Sequence, residues 1–197
     1  MNDIERMLAD LNEVPPLELE GRTIFEAGAA DLVARIDSPF GLLWIAWSKR
    51  GITALTPTFA SRTIGEFAEH HRRISYKAQA VPKLMAAEIE DALETGDSSA
   101  LAFDLTGLTG FQRSVLEVCA TIRPGTVRPY GWIAQEVRRS GAARAVGTAL
   151  ARNPIPLLIP CHRVVRSDGS VGSYAFGSAM KRELLERENA PLPLSQS

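Results

Sequence analysis

Cysteine and histidine are scarce in this chain of 197 residues, which has two cysteines and three histidines. Two cysteines cannot build a disulfide framework, and Cys119 and Cys161 do not combine with the histidines in any spacing typical of a four-ligand zinc site. We therefore expect a reducing, cytoplasmic compartment and no metal site.

Long apolar runs and a basic N-terminus are also missing. The most apolar stretches, near residues 41–47 and 155–160, are too short to cross a bilayer. The first residues, Met1-Asn2-Asp3-Ile4-Glu5, are acidic rather than basic, which is not typical of a secretory signal. With 45% apolar residues, the composition predicts one large or two small globular domains and no membrane partner.

The net charge of −1 hides an uneven distribution of charge. Residues 110–190 contain 12 Lys and Arg against 6 Asp and Glu, whereas the rest of the chain contains 10 against 17. Eleven of the twelve basic residues are Arg, whose planar guanidinium suits phosphate and base contacts. The C-terminal half thus has the charge pattern of a polyanion binder, the alternative being a solvated surface that is rich in Arg.

The N-terminal half predicts a small α+β unit. Apolar spacing predicts helices, and short β-rich runs predict strands, with the turn Ser38-Pro39-Phe40-Gly41 joining the first two. His70 and His71 are interpreted as exposed helix residues. The predicted helices cover residues 3–11, 64–73 and 82–93, and the predicted strands cover 32–37, 42–47 and 52–55, with a short extended segment at 103–105.

The C-terminal half predicts helices. Thr109 is a plausible N-cap for a helix over residues 111–122, on whose apolar face Cys119 belongs to the core. Short helices over 132–137 and 142–151 flank a glycine-containing turn, which is typical of a helix-turn-helix. A last helix is predicted over residues 178–188.

The helix over residues 142–151 consists mostly of Ala and Gly, with Arg144 as its single long cationic side chain. A helix that reads base edges in the major groove normally carries several long polar side chains. This composition favours close approach to a narrow minor groove and recognition of shape. The alternative is a buried helix packed against a neighbour.

Cys161 lies in an apolar, proline-rich run and is followed directly by His162. A free cysteine among apolar residues is most often an inert core residue, but an adjacent base can convert a thiol into a nucleophilic thiolate. A carboxylate would have to orient such a histidine, and spacing leaves both Glu186 and Glu188 open. If the preceding helix binds DNA, the thiol can reach only a nucleotide flipped out of the duplex, with Arg144 in the vacated space.

Six segments of the C-terminal half form a set of motifs: Arg128-Pro129-Tyr130, Ala143-Arg144-Ala145-Val146-Gly147, Asn153-Pro154-Ile155-Pro156, Ile159-Pro160-Cys161-His162-Arg163-Val164-Val165, Gly172-Ser173-Tyr174, and Lys181 through Glu188. Together these segments resemble the O6-alkylguanine-DNA alkyltransferases, also called methylated-DNA–protein-cysteine methyltransferases. The resemblance covers about 80 residues, and a weaker likeness at Ser38-Pro39-Phe40-Gly41 extends to the family's N-terminal domain.

The resemblance implies a role for each catalytic residue. Cys161 would attack the alkyl carbon and keep it, and His162 would deprotonate the thiol through a bridging water. Glu188, here preferred to Glu186, would hold the imidazole. Asn153 would brace the turn between helix and thiol, and Tyr130 would hydrogen-bond the departing guanine.

The resemblance also implies how DNA is held. Arg144 would intercalate, while Ala143 and Gly147 would allow close approach to the minor groove. Pro156 and Tyr174 would form walls of the alkyl pocket. Ala145, Arg152 and Arg163 complete the expected DNA-binding set, and Val164, Ser173 and Ala175 complete the pocket.

The implied fold is α+β, with an RNase H-like N-terminal domain followed by a helix-turn-helix, winged-helix-like C-terminal domain. The expected boundaries are an extension at residues 1–30, domains at 31–105 and 106–190, and a tail at 191–197. The implied reaction is a single, irreversible alkyl transfer from O6-alkylguanine, and from O4-alkylthymine, in double-stranded DNA, without a cofactor. The protein is expected to be a monomer, with cooperative DNA binding left open.

Two other functions compete with this interpretation. A lesion-binding module without catalysis, like the alkyltransferase-like proteins, would carry Trp where this chain has Cys161. A Cys–His hydrolase for small molecules would need an oxyanion hole and turnover, and it gives the Arg144 helix no role.

Overall fold

The computed structural model describes residues 18–191, which form two compact units. The first comprises residues 18–90 together with Leu101–Asp104, and the second comprises Asp91–Ala100 together with residues 105–191. The helix predicted at residues 3–11 lies outside the described range. Both units mix helices and strands, so the chain is an α+β protein.

The first unit is built on a four-stranded sheet with the order β3-β2-β1-β4. Strands β1 to β3 are antiparallel neighbours, and β4 pairs parallel to β1. Phe103 adds a single parallel bridge to Ile52 at the outer edge of β3. The strands are β1 Asp31–Ile36, β2 Leu43–Ser48, β3 Gly51–Pro57 and β4 Ser75–Lys77.

One face of this sheet packs against a short helix, α2 Ile64–His71. Phe67 of this helix joins Val33, Trp44 and two strand alanines in one buried cluster. Thr63 caps the helix by accepting a hydrogen bond from the Glu66 amide. A helix at Leu19–Glu26 (α1) precedes the sheet, and another, α3 Lys83–Thr95, follows it.

The second unit is mainly helical. Helix α4, Gly110–Ala120, begins at a capping box in which Thr109 and Gln112 bond each other's backbone amides. Its buried face, which includes Cys119, contacts the helix-turn-helix pair α5 Tyr130–Glu136 and α6 Ala143–Ala151. Two-residue strands β5 Arg128–Pro129 and β6 Val164–Val165 pair in parallel, and helix α7 spans Gly177–Arg187.

Most predicted elements exist within two or three residues of their expected bounds. The helix Leu19–Glu26, the strand Ser75–Lys77 and the two-residue strands β5 and β6 were not predicted. Residues 91–100, which we expected in the N-terminal domain, belong to the second unit, where Ser98 Oγ donates to the Leu158 carbonyl at 2.7 Å.

The interpretation of His71 as an exposed residue is wrong. Its side chain is 3% exposed, and its Nε2 lies 2.5 Å from Asp31 Oδ2, whereas His70 is exposed as expected. Neighbouring helix positions point about 100° apart, so one histidine of the tandem faces the sheet and the other faces solvent. None of the helices between residues 18 and 191 is long and apolar enough to span a membrane.

Candidate active site

The Cys161 thiol lies at the start of a single 3₁₀ turn, Cys161–Arg163, that follows Pro160. The residue is only 6% exposed, yet it lines an open cleft of about 820 Å³. Its Sγ lies 3.3 Å from Asn153 Nδ2, which donates a hydrogen bond to it. The thiol is therefore held in a fixed position at the wall of the cleft.

Asn153 connects the thiol to the end of helix α6, Ala143–Ala151, which is the second helix of the helix-turn-helix and is called the recognition helix below. Its Oδ1 accepts a hydrogen bond from the Ile155 amide at 3.0 Å, and its Nδ2 donates to the Ile159 carbonyl at 3.0 Å. Between these contacts, buried Leu157 has a φ of 73°, in the left-handed region that L-residues rarely adopt. The Asn153 side chain thus holds both ends of a turn whose backbone is strained at Leu157, which is where its bracing role was predicted.

Burial raises the pKa of the Cys161 thiol. The hydrogen bond from Asn153 and the positive charge of Lys181 act in the opposite direction but do not outweigh the burial. The resting thiol is therefore protonated at neutral pH. Nucleophilic attack consequently requires a base that removes its proton.

His162 and Glu188 form the pair that the resemblance implied. The His162 Nε2 lies 2.9 Å from Glu188 Oε1, and the imidazole is buried. Burial lowers the pKa of His162 despite the opposing effect of Glu188, so the ring is neutral. Its buried Nδ1 has no hydrogen-bond partner among the described residues, which leaves one ring nitrogen for proton transfer.

Glu188 contacts Arg163 as well as His162. Arg163 Nε donates to its Oε2 at 2.9 Å, and Arg163 Nη2 donates to its Oε1 at 2.8 Å. Burial by itself would raise the pKa of Glu188, but the hydrogen bonds and charges of His162 and Arg163 together lower it to about 2. The structure brings Glu188 to the histidine, while Glu186 is exposed.

The prediction that Arg163 binds DNA is wrong. Its side chain is 2% exposed, and besides the Glu188 carboxylate it bonds the carbonyls of Ile122 and Gly96. Gly96 has a φ of +76°, and a Cβ there would lie 2.8 Å from Arg163 Nη2. Glycine at position 96 is thus needed for this close approach.

Eight predicted site residues line the cleft. Gly147 lies at the point where the recognition helix α6 passes Tyr130, since a Cβ on it would be 3.7 Å from the tyrosine ring. Arg144 on the same helix is exposed. The predicted residues that line the cleft are Tyr130, Ala143, Arg144, Gly147, Cys161, Ser173, Tyr174 and Ala175.

The remaining predicted residues lie elsewhere. Pro156 and Val164 are buried and do not line the cleft, and Ala145 and Arg152 are exposed outside its lining. The structure adds lining residues for which no sequence signal was recognised. These are Gly131, Thr148, Leu150, Ala151, Arg166, Ser167 and Asp168.

Tyr174 packs edge-on between two rings, with centroids 6.4 Å from His162 and 5.6 Å from Phe176. Its buried hydroxyl has no hydrogen-bond partner within residues 18–191. Burial raises the pKa of Tyr174, and it also raises the pKa of Tyr130. Both phenols therefore stay protonated and can act as hydrogen-bond donors in the cleft.

Lys181 is a buried residue whose charge lowers the pKa of the Cys161 thiol, and the sequence reasoning gave it no place in the site. It is fully buried, and its Nζ donates to the carbonyls of Val164 at 2.6 Å and Ser173 at 3.4 Å. Burial lowers its pKa to about 8. A signal existed, because Lys181 precedes buried Leu184 and Leu185 by three and four residues and so occupies a core position of its helix.

Comparison with known protein families identifies the C-terminal region. Residues 110–190 match the model of the 6-O-methylguanine DNA methyltransferase DNA-binding domain. The methylated-DNA–protein-cysteine methyltransferase of Methanothermobacter thermautotrophicus is 35% identical over 150 residues, which are 75% of this chain and 80% of that protein. The protein of the same name from Mycobacterium leprae is 38% identical over 158 residues, 78% of this chain and 89% of its own.

This chain belongs to the methylated-DNA–protein-cysteine methyltransferase family. Solved structures of family members agree with this assignment. Mycobacterium tuberculosis OGT in complex with DNA is 33% identical, covers 82% of this chain and 95% of its own, and superposes with a TM-score of 0.62. The O6-methylguanine-DNA methyltransferase of Pyrococcus kodakaraensis is 31% identical, covers 81% and 99%, and has a TM-score of 0.61.

Proposed function

We propose that this protein repairs DNA by moving an alkyl group from O6 of guanine to the sulfur of Cys161. One observation carries the proposal. The thiol lines the same cleft as the recognition helix, and the next residue in sequence, His162, forms a buried pair with Glu188. A thiol, its base and a DNA-binding helix at one cleft are the parts that direct alkyl transfer from DNA requires.

The transfer begins with a proton. His162 takes the thiol proton through a bridging water, and the charge of Glu188 stabilises the imidazolium that results. The thiolate then attacks the alkyl carbon, an S–C bond forms and the C–O6 bond breaks. The bonding electron pair stays with guanine, and the proton that His162 took from the thiol passes back through water to neutralise it. Tyr130 donates a hydrogen bond to the departing ring.

The product explains why the reaction should happen once. A thioether is a poor leaving group under neutral conditions, so Cys161 stays alkylated and each protein molecule removes one lesion. The same attack on O4-alkylthymine is part of the proposal, because that lesion also carries an alkyl group on an exocyclic oxygen.

Helix α6 is proposed to enter the minor groove. Ala143 and Gly147 carry little or no side chain there, which lets the backbone approach, and Arg144 fills the stack when the guanine flips out. Tyr174 and Ala175 then face the flipped base. Val164 lies behind the cleft, where its carbonyl already accepts from Lys181 but keeps a second lone pair for the base.

Several finer points belong to the same proposal. The first unit, with its mixed four-stranded sheet, is proposed to be RNase H-like, and the second unit to be winged-helix-like. The protein is proposed to act as a cytoplasmic monomer on double-stranded DNA.

The proposal is tested by intact mass, which counts the methyl groups, and by mass analysis of proteolytic peptides, which locates them. The full chain is incubated with a duplex that contains one O6-methylguanine, and the expected result is a gain of one methyl group on the peptide that contains Cys161, stopping at one equivalent. Cys161→Ala should gain nothing, whereas Cys119→Ala should gain as much as the wild type. Turnover beyond one equivalent, or a methyl group on Cys119, would refute the proposal.

A further inference from the structure

An arginine and a tryptophan form an exposed stack beside the cleft. The Arg128 Cζ lies 5.4 Å from the centroid of the Trp132 ring, within the range of a cation–π contact. Arg128 is exposed in the two-residue strand Arg128–Pro129, and Trp132 is half-buried in the first turn of α5. The guanidinium is therefore held in one orientation on an aromatic surface.

The charge of Arg128 is not neutralised within the described part of the chain. No carboxylate between residues 18 and 191 forms an ion pair with it, and its one hydrogen bond, from Nη1 to the Val127 carbonyl, is 3.3 Å long. A guanidinium carries five N–H donors, and stacking covers its face but leaves its edge accessible. The donors that remain suit a phosphate, which accepts two of them side by side.

The position of the stack points to the same ligand. Tyr130 and Gly131, which lie between the two stacked residues in sequence, both line the cleft. Tyr130 also approaches Gly147 of the recognition helix. In a helix-turn-helix the second helix lies in the groove while the first crosses the sugar–phosphate backbone. Arg128 and Trp132 are at the beginning of that first helix.

We propose that Arg128, held on Trp132, binds a backbone phosphate of the DNA next to the flipped nucleotide. This inference rests on the proposed function, since it places the same DNA on the same cleft. The contact carries no sequence information. Its contribution is to fix the position of the duplex, so that the nucleotide opposite the thiol is the one that flips.

The first unit supplies a matched control. Arg35 stacks on Trp44 at the same distance of 5.4 Å, but there the indole is 8% exposed and belongs to the sheet core. Arg35→Gln therefore removes the same charge and the same kind of stack at a distance in sequence from the helix-turn-helix.

The experiment measures binding of the full chain to an undamaged duplex between about 50 and 200 mM salt. Each phosphate contact contributes about 0.9 to the slope of log K against log salt. Arg128→Gln should lower that slope by about 0.9 and weaken binding about fivefold at low salt, equally for every sequence. Arg35→Gln should leave the slope unchanged.

Three further variants separate the charge from the stack. Arg128→Lys and Trp132→Leu both keep the cation but lose the stacked plane, so each should retain the wild-type slope while binding about two- to threefold more weakly. Trp132→Phe should restore most of the affinity. An Arg128→Gln slope equal to that of the wild type, or a loss equal to that of Arg35→Gln, would overturn the inference.

The methylation of Cys161 is followed in the same samples. If Arg128→Gln lowers the slope while wild-type protein never gains a methyl group, the phosphate contact stands and the proposed function fails. If the wild-type protein is methylated but Arg128→Gln has the same salt slope as the wild type, the function stands and the phosphate contact is rejected.

Discussion

The two units each contain a histidine, a carboxylate and an arginine in contact, yet only one of these groups belongs to a reactive site. In the first unit Asp31 Oδ2 lies 2.5 Å from His71 Nε2 and 2.9 Å from Arg73 Nε. In the second unit Glu188 makes the corresponding contacts with His162 and Arg163 at 2.9 and 2.8 Å. The contacts are similar in length and both histidines are buried, whereas the arginine side chains are 23% exposed in the first group and 2% exposed in the second.

The surroundings of the two groups differ. Asp31 Oδ2 also accepts a hydrogen bond from Thr53, and Arg73 continues to Asp104, so the first group is part of a buried polar network. The second group has a thiol as its immediate neighbour and a cleft in front of that thiol. A histidine–carboxylate pair therefore indicates chemistry only where a nucleophile and space for a substrate accompany it.

The largest predicted effect separates the two carboxylates by function. Glu188→Gln removes the charge that stabilises protonated His162, so methyl transfer to Cys161 should slow by about a hundredfold or more, the usual range for general-base catalysis. Asp31→Asn should leave the transfer rate within about twofold of the wild type at the same folded fraction. Single-turnover transfer from labelled DNA measures both.

Stability provides the control for that comparison. Glu188→Gln leaves the buried Arg163 with a weakened partner, and Asp31→Asn does the same to the buried His71, so each should cost about 3 kcal/mol of unfolding free energy. Equal transfer rates in the two variants would contradict the distinction between a structural and a catalytic group.

The free energy of unfolding should depend on pH in the acid range because the pKa values of Glu188 and His162 are shifted in the folded protein. The pKa of Glu188 is lowered from 4.5 to about 2, so its contribution to stability is complete above pH 4.5 and is lost as the pH falls toward 2. The pKa of His162 is also lowered, and stability is lost below pH 6.5 because the unfolded chain then binds the proton first.

Urea unfolding at a series of pH values checks this expectation. Wild-type stability should decline from about pH 6.5 downward, with ~3 kcal/mol attributable to Glu188. Glu188→Gln should flatten the part of the curve below pH 4.5. An unchanged pH dependence in this variant would show that the carboxylate does not titrate as described.

Asn153→Ala should have an intermediate effect, confined to the second unit. The substitution removes the hydrogen bonds to the Ile155 amide, the Ile159 carbonyl and the Cys161 sulfur, so stability should fall by about 2 kcal/mol. Transfer should also slow, because the pKa of the thiol rises further without its donor.

Asn153→Asp is the matched variant. It keeps the acceptor for the Ile155 amide but replaces the donor that faces the sulfur with a carboxylate oxygen. That oxygen also faces the Ile159 carbonyl, which repels it, so Asn153→Asp should be less stable than Asn153→Ala above pH 5 and slower in transfer. A transfer rate equal to that of the wild type would remove Asn153 from the description of the site.

The smallest predicted effects compare the helix caps of the two units. Thr63 and Thr109 each accept a hydrogen bond from the amide three residues later, at 3.1 and 3.3 Å. Thr63→Ala and Thr109→Ala should each cost about 1 kcal/mol, and the serine variants should cost less. Neither change should alter the transfer rate, so a slower Thr109→Ala would reveal a catalytic dependence on α4.

Local sequence patterns were sufficient for most of the helices. Apolar spacing and the Thr109 cap located α4 within two residues, and the glycine turn located the helix-turn-helix. The strand Ser75–Lys77 could not be found in this way, because its three residues are a strand only through parallel pairing with Asp31–Val33. The helix Leu19–Glu26 buries only Gly21 and so has little apolar pattern.

In the site, too, local sequence patterns revealed some residues, while others depend on partners that are distant in sequence. The thiol and its base are adjacent in sequence and could be recognised together, and the resemblance selected Glu188. Arg163 was misassigned because its partners, Gly96, Ile122 and Glu188, are 25 to 67 residues away. A cation two residues from a reactive thiol is equally compatible with DNA contact and with burial until the fold supplies those partners.

The contact between Gly96 and Arg163 also determines where this chain can be cut. A fragment that starts at the expected boundary, residue 106, or at the first residue matched by the family model, 110, would contain the thiol, its base and the recognition helix. It would lack the Gly96 carbonyl that receives Arg163 and the Ser98 hydroxyl that donates to Leu158. The smallest autonomous catalytic fragment should therefore begin before residue 91, inside helix Lys83–Thr95 or upstream of it.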